Sequence, residues 1–407
     1  MKQLKIIWKR VEPSMQQNNS EKLTNAIEAA KKFGRFYCKF ISANDVDLTG
    51  AHQVGLYIAK QAWNIFFEEK GVKGENKDKF IKVHIDGYHP FESRVIYYGR
   101  RTRNEYRITR FWSNSPFDKT EQVGNLIIFI PMDMENYKVY ILDTEEEIEI
   151  FIDTFSLSLM DNNAVYNGGK VKDIDLSAKL EKEIEDVAAQ FHDFPETIQL
   201  AEIARRIHQH VYKKKQFSPD NIILEWVKTE YSVFRSIERN VYKDYLTKPL
   251  NDLETLITIA NSVINRRKSR AGKSLEHHVD FLLSSYNIPF SHPGKSEGNK
   301  KPDFLFPSNA AYADMSFPEN NLIFLGVKTT CKDRWRQILN EANRIKEKHL
   351  LTLQQGISPN QLDEMAEEKV ILVVPKPYHS LYPAEYQDRL WTVEKFIHYA
   401  EEKYSLI

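Results

Sequence analysis

The chain has 407 residues, which is more than one hydrophobic core usually organises, so two domains are expected. Hydrophobic residues make up 42% and charged residues 28%, a composition that is ordinary for a globular protein. Lys and Arg together number 57, and so do Asp and Glu, so a uniformly basic nucleic-acid-binding protein is excluded and any such signal must be local.

The sequence predicts no membrane association. No apolar run approaches the roughly 20 residues that a membrane-spanning helix needs, and the basic N-terminus lacks the apolar stretch of a signal peptide. Cys38 and Cys331 lie far apart and form neither a disulfide framework nor a CxxC metal motif. A reducing cytoplasm is therefore expected.

The first third of the chain has mostly β character. A helix is predicted over residues 21–32, and strands over 95–98, 126–131 and 137–142, where apolar residues run together or alternate. The stretch 161–171 collects Asn and Gly and is predicted to be a loop.

From about residue 173 long charged segments with helical periodicity follow, at 176–191 and 198–212. A break at 216–221 precedes another helical stretch.

The last part has α/β character. Buried strands are predicted at 303–306, 322–327 and 370–374. Between the last two strands, apolar residues recur at helical spacing and predict a helix. They are Trp335, Ile338, Leu339, Ala342 and Ile345.

One group of residues in this part of the chain could support metal-dependent chemistry. Asp303 opens the first of these strands, Lys328 ends the second, and Glu341 lies in the predicted helix. Carboxylates can hold Mg²⁺ against a phosphodiester, and a nearby lysine can stabilise the charge of the transition state. Each residue alone is more simply a strand-end charge, but their combination favours a nuclease.

This group departs from the common nuclease pattern PD…(D/E)xK. The acid expected two residues before the lysine is replaced by Gly326, which has no side chain to bind metal. Glu341, 13 residues after Lys328, is the candidate for the second carboxylate, and Glu276 is a possible third.

Asp333 and Arg334 form an adjacent acid–base pair. Arginine can donate two hydrogen bonds to guanine, and aspartate can accept one from cytosine, so the pair could read a C·G step in the major groove. An aspartate that favours a helix N-terminus, with a solvated arginine beside it, is an equally good interpretation.

Residues 266–276, RRKSRAGKSLE, contain five Lys or Arg among their first eight positions. Such a cluster suits DNA phosphates, although a solvated charged face is the usual explanation. The glycine and short side chains indicate the start of a helix, with Glu276 in the helix that follows.

These segments closely resemble the EcoRII family of restriction endonucleases. The resemblance extends to the N-terminal half and is weakest between about 145 and 225. The matching strings are RRKSRAGKSLE, NKKPDFLFPS, KTTCKDRWRQILNEA, SANDVDLTGAHQVGLY and TRNEYRITRFW.

The resemblance implies an α/β C-terminal domain with the PD-(D/E)xK nuclease fold, a central mixed sheet flanked by helices. It also implies a mainly-β N-terminal DNA-binding pseudobarrel. The expected boundaries are 1–172 for the effector-binding domain, 173–215 for a helical linker and 216–407 for the catalytic domain.

The resemblance also implies roles for single residues. Asp303 and Glu341 would hold Mg²⁺, and Lys328 would complete the catalytic set. In this family's variant of the motif the lysine is followed 13 residues later by glutamate, which explains Gly326. The C-terminal residues expected to contact DNA are Asp333, Arg334, Arg270, Lys332 and Tyr231. Tyr231 is the candidate aromatic of a pocket for an extruded base.

The N-terminal domain would bind a second copy of the site as an effector. Its candidate contacts are His52, Tyr57, Arg101, Arg103, Glu105 and Arg107. In the family, the run that corresponds to residues 100–107 is rich in lysine. In this chain Arg101 and Tyr106 stand in place of lysines. A charged β-hairpin tip is the simpler alternative for the run at 100–107.

The sequence thus predicts a type II restriction endonuclease that cuts double-stranded DNA at a CCWGG-like site with Mg²⁺. From the resemblance we expect a prokaryotic, cytoplasmic homodimer that pairs through its C-terminal domain. We also expect inhibition by the N-terminal domain, so that a chain starting near residue 196 cuts single-site DNA faster. The alternatives are a DNA-binding regulator without cleavage and a structure-specific repair nuclease.

Overall fold

The computed structural model describes most of the chain, and the structural statements below refer to these residues. They are 19–50, 55–158, 160, 163–168, 170–171, 177–213, 215–248 and 252–404.

The N-terminal half is built on one nine-stranded sheet with the order β2-β5-β4-β3-β7-β6-β1-β8-β9. Its neighbouring strands are antiparallel except for β3 and β7, which are parallel. The strands are β1 (Arg35–Phe40), β2 (Leu56–Ile58), β3 (Lys77–His84), β4 (Phe91–Tyr98), β5 (Glu105–Thr109), β6 (Leu126–Pro131), β7 (Asn136–Leu142), β8 (Asn163–Asn167) and β9 (Lys170–Val171).

The sheet curls into a nearly closed barrel. The hydroxyl of Tyr37 on β1 donates to the carbonyl of Tyr57 on β2 at 3.3 Å, and the amide of Ala59 donates to the same hydroxyl at 3.2 Å. The edge strand β2 thereby approaches the strand near the other edge.

Strand β6 shows why strands in this half have continuous apolar sequences. Successive side chains of a strand point to opposite faces. Ile127 and Phe129 lie in the barrel core, whereas Ile128 and Ile130 lie under the covering helices. Both faces of the strand are buried, so no polar alternation remains.

Two longer helices cover the outer face of the sheet, and two short ones connect strands. In α4, the side chain of the N-cap residue Thr144 accepts a hydrogen bond from the amide of Glu147 at 3.3 Å. The helices are α1 (Asn19–Phe33), α2 (Trp63–Phe66), α3 (Phe111–Asn114) and α4 (Glu145–Thr154).

Four helices join the two halves. They are α5 (Ala178–Ala188), α6 (Thr197–Val211), α7 (Pro219–Thr247) and α8 (Leu253–Ser285). Proline at the first position and Ser218 as N-cap start α7 where the sequence breaks. A buried contact set links α6, α7 and α8: Arg205 lies 3.1 Å from His278, which lies 3.0 Å from Glu230.

The C-terminal half contains a four-stranded mixed sheet flanked by helices. Strand β10 (Phe304–Phe306) is antiparallel to β11 (Ile323–Lys328), and β12 (Lys348–Thr352) and β13 (Val370–Val373) continue the sheet in parallel. The remaining helices are α9 (Asn309–Ala313), α10 (Pro359–Glu367) and α11 (Val393–Tyr404). Helices α7, α8 and α11 cover one face.

Several predicted elements are confirmed. Helix α1 contains the predicted stretch 21–32, β6 occupies 126–131, and β11 and β13 lie where buried strands were expected. Of the residues that the structure describes, no helix is long and apolar enough to cross a membrane.

The helix predicted after Lys328 is wrong. The apolar spacing there produces a short 3₁₀ helix over Arg334–Asn340, after which Glu341 has an extended backbone. Ala342 then takes a left-handed conformation with φ of 49°. The chain turns at this point because it must reach β12, a strand that the sequence pattern did not reveal.

Two further predictions are wrong. The loop predicted at 161–171 contains the β8–β9 hairpin. The basic cluster at 266–276 lies in the middle of α8 and does not start a helix. Glu276 lies in the same helix.

Candidate active site and DNA-facing surface

Asp303 lies just before β10, where it meets the end of β11. Its Oδ2 accepts hydrogen bonds from the Val327 amide at 2.7 Å and from the Lys328 ammonium at 3.0 Å. Burial raises the pKa of Asp303, the Lys328 charge and the Val327 amide lower it, and the Glu276 charge raises it. The structure thus brings an acid and the predicted lysine into direct contact.

Glu341 faces the same centre, although it does not lie in a helix. Its pKa is raised to about 7, first by burial and then by the negative charge of Asp303, while Lys328 lowers it. Gly326 explains how this is possible. A Cβ there would lie 3.2 Å from Ile338 and 3.3 Å from Phe324, so the 3₁₀ turn that precedes Glu341 packs where a side chain would stand.

The residues present fit a divalent cation. Two carboxylates that disfavour each other's ionised form are stabilised when a cation lies between them. Mg²⁺ commonly uses one or two protein carboxylates and keeps several waters. Within the described ranges no group of three or more His, Cys, Asp or Glu side chains could hold a metal ion, so Asp303 and Glu341 would need water or phosphate oxygens to complete a site.

A cleft of about 1080 Å³ opens beside this centre. Lys328 and Glu276 line it on the C-terminal side, together with Arg270, Thr329, Thr330, Asp333 and Arg334. Helix α4 of the N-terminal half forms the opposite wall. Five of the predicted catalytic and DNA-binding residues of this half therefore line one cleft: Arg270, Glu276, Lys328, Asp333 and Arg334.

The predicted base-reading residues contact α4. The Arg334 guanidinium donates to Glu149 at 2.6 Å and lies 3.4 Å from Glu145. Backbone amides of Lys332 and Arg334 donate to the Glu145 carboxylate at 2.8 and 3.1 Å, and the Glu145 amide donates to Asp333 at 3.3 Å.

Lys332 itself is buried and donates to Asn125. Burial lowers its pKa to about 8. Of these three side chains Lys332 is buried, Arg334 is half-buried in its pairs with Glu145 and Glu149, and Asp333 is exposed.

The predicted pocket residues are covered in the same way. The Arg270 guanidinium lies 4.7 Å from the Tyr231 ring, and the Tyr231 hydroxyl donates to the carbonyl of Leu157. The neighbouring Arg267 donates to Ser156 at 2.7 Å and to the carbonyl of Asp153. The end of α4 and the turn after it therefore fill the space above Tyr231.

The predicted effector contacts separate into two groups. Tyr57 on β2 pairs with Arg107 on β5, whose buried guanidinium lies 3.3 Å from Glu105. Arg101 and Arg103 are exposed in the turn between β4 and β5, where Lys73 donates to both of their carbonyls. His52 lies outside the described residues.

Sequence reasoning missed two features of this region. The first is the acidic row of α4, which comprises Glu145, Glu149 and Asp153. Acids four residues apart lie on one helix face, so this spacing could have indicated it. The second is His292, which lies between Glu276 and Asp280; no local pattern marks that contact, because it depends on tertiary packing.

Comparisons with known proteins agree along most of the chain. A family model described as "EcoRII C terminal" matches residues 234–397, and one for the EcoRII N-terminal domain matches residues 30–165. The chain is 38% identical to the type II restriction enzyme EcoRII of Escherichia coli over 381 residues, covering 89% of this chain and 92% of that protein. A second relative, SsoII of Shigella sonnei, is 29% identical over 125 residues and covers 28% of this chain and 40% of that protein.

Solved structures with a similar arrangement are restriction endonucleases. Ecl18kI in complex with uncleaved, modified DNA has a TM-score of 0.43 at 20% identity, covering 57% of this chain and 86% of that one. PspGI in a substrate DNA complex has a TM-score of 0.43 at 15% identity, covering 53% of this chain and 95% of that one.

Proposed function

Because the chain belongs to the EcoRII family of type II restriction enzymes, we propose that it cuts double-stranded DNA at a CCWGG-like site by Mg²⁺-dependent phosphodiester hydrolysis. The observation that carries the mechanism is the contact between Lys328 and Asp303 at 3.0 Å. Glu341 is electrostatically coupled to both. A protein that only binds DNA does not require a lysine and two carboxylates buried together in this way.

In this proposal Asp303 and Glu341 hold the Mg²⁺, and Glu276 lines the cleft beside Lys328 as a further carboxylate. When bound, Mg²⁺ supplies Lewis acidity and positive charge at the scissile phosphate. The Lys328 ammonium stands at the open end of β11 and stabilises the negative charge that develops on the phosphate. The Val327 amide fixes the Asp303 carboxylate so that it needs no rearrangement.

The sequence-reading surface in this proposal is the segment Lys332–Arg334. Asp333 and Arg334 read C·G pairs, and Lys332 and Arg270 contact the DNA. Tyr231, with the Arg270 guanidinium over its ring, receives an extruded base. The common position of Arg270, Asp333 and Arg334 along one cleft supports their assignment.

The test is digestion of a sequenced plasmid carrying several CCWGG sites, with Mg²⁺ or with EDTA, followed by mapping of the ends. We expect discrete Mg²⁺-dependent ends at those sites. Discrete ends at another sequence would keep the mechanism and discard the site, whereas a smear would favour a structure-specific nuclease. No cutting, even with an added effector duplex, would favour the DNA-binding regulator.

Lys328→Ala should retain DNA binding and abolish cutting, because the ammonium acts on the charge of the transition state. Binding is measured by fluorescence anisotropy without Mg²⁺ and cutting by gel assay. Lys395→Ala, at an exposed position on α11, is the matched control and should cut like wild type. If the Lys328 variant cut at the wild-type rate, the site assignment would be wrong.

We further propose that the N-terminal half inhibits the catalytic cleft in this conformation. The acidic row of α4 repeats a carboxylate every four residues, or about 6 Å along the helix. Two of its members contact a cation that the proposal assigns to DNA, since Arg334 pairs with Glu145 and Glu149. The third, Asp153, lines one small pocket together with Arg270. DNA phosphates and this row therefore compete for the same cations.

The effector site in this proposal lies on the N-terminal barrel, residues 1–172. Its contacts are His52, Tyr57, Arg101, Arg103, Glu105 and Arg107. The exposed arginines of the β4–β5 turn support a phosphate-binding role for that turn. Residues 173–215 form the linker, whose helix α6 is fastened to the catalytic domain, 216–407, through Arg205.

We also propose that two copies pair through the catalytic domain. One chain supplies one Asp303–Lys328 centre, and cutting both strands at a site requires two. Exposed large apolar side chains cluster where α7 ends and α8 begins, as expected for a protein interface. They are Tyr245, Leu246, Leu253, Leu256, Ile257 and Ile264.

A further inference from the structure

His292 connects the start of β10, next to Asp303, to helix α8. Its Nε2 lies 3.5 Å from a carboxylate oxygen of Glu276, and its Nδ1 lies 2.8 Å from one of Asp280. Glu276 and Asp280 are one helical turn apart on α8, so a single imidazole spans both.

The position of His292 is fixed by the sheet. Ser291 exchanges two backbone hydrogen bonds with Leu305 of β10, at 2.8 and 3.1 Å. The imidazole then stacks on the Phe304 ring, with 4.3 Å between centroids and an interplanar angle of 18°. Phe304 directly follows Asp303, so His292 is attached to the same strand start as the proposed metal ligand.

Glu276 is the side chain through which His292 can act. It lines the cleft beside Lys328, and its charge raises the pKa of Asp303. A flexible glutamate on a helix has several rotamers, and only some of them point toward Asp303. The contact with a fixed imidazole, 3.5 Å from the Glu276 carboxylate, limits the rotamers that Glu276 can adopt.

We propose that His292 is a positioning residue that holds the Glu276 carboxylate toward the Asp303 centre and thereby strengthens binding of the divalent cation. This proposal rests on the proposed function of the site. Groups that hold a metal-binding side chain in place typically contribute 10- to 100-fold to metal affinity or activity. His292 itself does not contact substrate or metal.

The test compares His292→Phe and His292→Gln with the wild-type full chain. His292→Phe retains a ring on Phe304 but removes both hydrogen bonds, so it separates positioning from packing. Mg²⁺ affinity is measured by isothermal titration calorimetry without DNA and, independently, from the Mg²⁺ concentration for half-maximal cutting. His398→Ala is the control, because His398 pairs with Glu401 on the exposed face of α11, 3.2 Å apart.

We expect His292→Phe to weaken Mg²⁺ binding about tenfold, His292→Gln to recover part of that loss, and His398→Ala to have no effect. In a Glu276→Gln background, His292→Phe should weaken Mg²⁺ binding no further, because both changes remove the same interaction. If a folded His292→Phe variant bound Mg²⁺ with wild-type affinity, the role of His292 would be wrong but the proposed function would stand. If the wild-type chain neither bound Mg²⁺ nor cut DNA, both the proposed function and the role of His292 would be wrong.

Discussion

At the scale of single residues, the catalytic centre is determined by what each side chain can reach. Asp303 and Lys328 end two neighbouring strands and meet directly. Glu341 follows a turn that packs against Gly326, where a Cβ would lie 3.2 Å from Ile338, and it is electrostatically coupled to both residues. In the proposed site, Glu341 takes the place of the acid that the common nuclease pattern has two residues before the lysine, where this chain has Gly326.

Gly326→Ala should destabilise the protein by about 1–3 kcal/mol, because the new Cβ would lie 3.2 Å from Ile338 in a packed core. Urea unfolding measures the change in the free energy of unfolding. Gly272→Ala in α8 is the matched control: nothing lies within 4 Å of its Cβ position. There the change should be neutral or stabilising by up to about 1 kcal/mol. Equal stabilities of wild type and Gly326→Ala would show that the turn can move away.

At the scale of elements, β12 is a strand that the local sequence pattern does not predict. It has the sequence KHLLT, and three of its five residues, Lys348, His349 and Thr352, are polar and buried. His349 lies in the core among the rings of Trp391, Phe396 and Tyr399. A buried polar residue in a central strand is tolerated here because the imidazole remains neutral.

This burial predicts a dependence of stability on pH. Burial lowers the pKa of His349 to about 4, whereas in the unfolded chain it is about 6.5. Between these values the unfolded state binds more protons, so the free energy of unfolding should fall as the pH drops from about 6.5 toward 4 and is unaffected above that window.

Thermal or urea unfolding of wild type and His349→Leu at pH 7 and pH 5 tests this prediction. The variant should lose less stability on acidification, because leucine cannot be protonated. The His398→Ala variant, changed at a largely exposed histidine, controls for general acid effects. Identical pH profiles of the wild-type and His349→Leu proteins would contradict the prediction.

At the scale of the whole molecule, charged side chains of the two halves contact each other across the cleft. The acidic row of α4 contacts Arg334 and the backbone amide of Lys332, and Arg267 donates to the end of the same helix. The hydrogen bond between Arg334 and Glu149 is only partly buried, since their side chains are 41% and 25% exposed. In the proposed inhibition, such partly exposed contacts contribute little free energy each, so the N-terminal half can be released from the cleft.

Glu149→Ala should therefore raise the rate of cutting on DNA with a single site, in the absence of effector, about fivefold. Losing a partly exposed charged hydrogen bond shifts the equilibrium between closed and open forms by about 1 kcal/mol, which corresponds to that factor. The change lies in the N-terminal half, so the catalytic surface remains intact.

Single-turnover cleavage of a one-site duplex measures this rate. Glu181→Ala, at an exposed position on α5, is the control and should leave it unchanged. An unchanged rate in the Glu149 variant would argue against inhibition through the acidic row.

The sequence by itself determined much of the architecture. Strands such as β6 and β11 have local apolar patterns, and α1, α5 and α6 have helical periodicity, so their existence follows from short stretches of chain. Asp303 and Lys328 could be selected because residue type and strand-end position both point to metal chemistry. Long matching strings gave the family.

Only the tertiary structure decided the rest. The residues 334–345 have helical spacing, but the chain must turn to place β12 in the sheet, and this long-range requirement outweighs local propensity. The contacts of α4 with Arg334 and of His292 with Glu276 join residues distant in the chain or fixed by sheet packing. No local pattern encodes such distances, because they result from how the elements pack against one another.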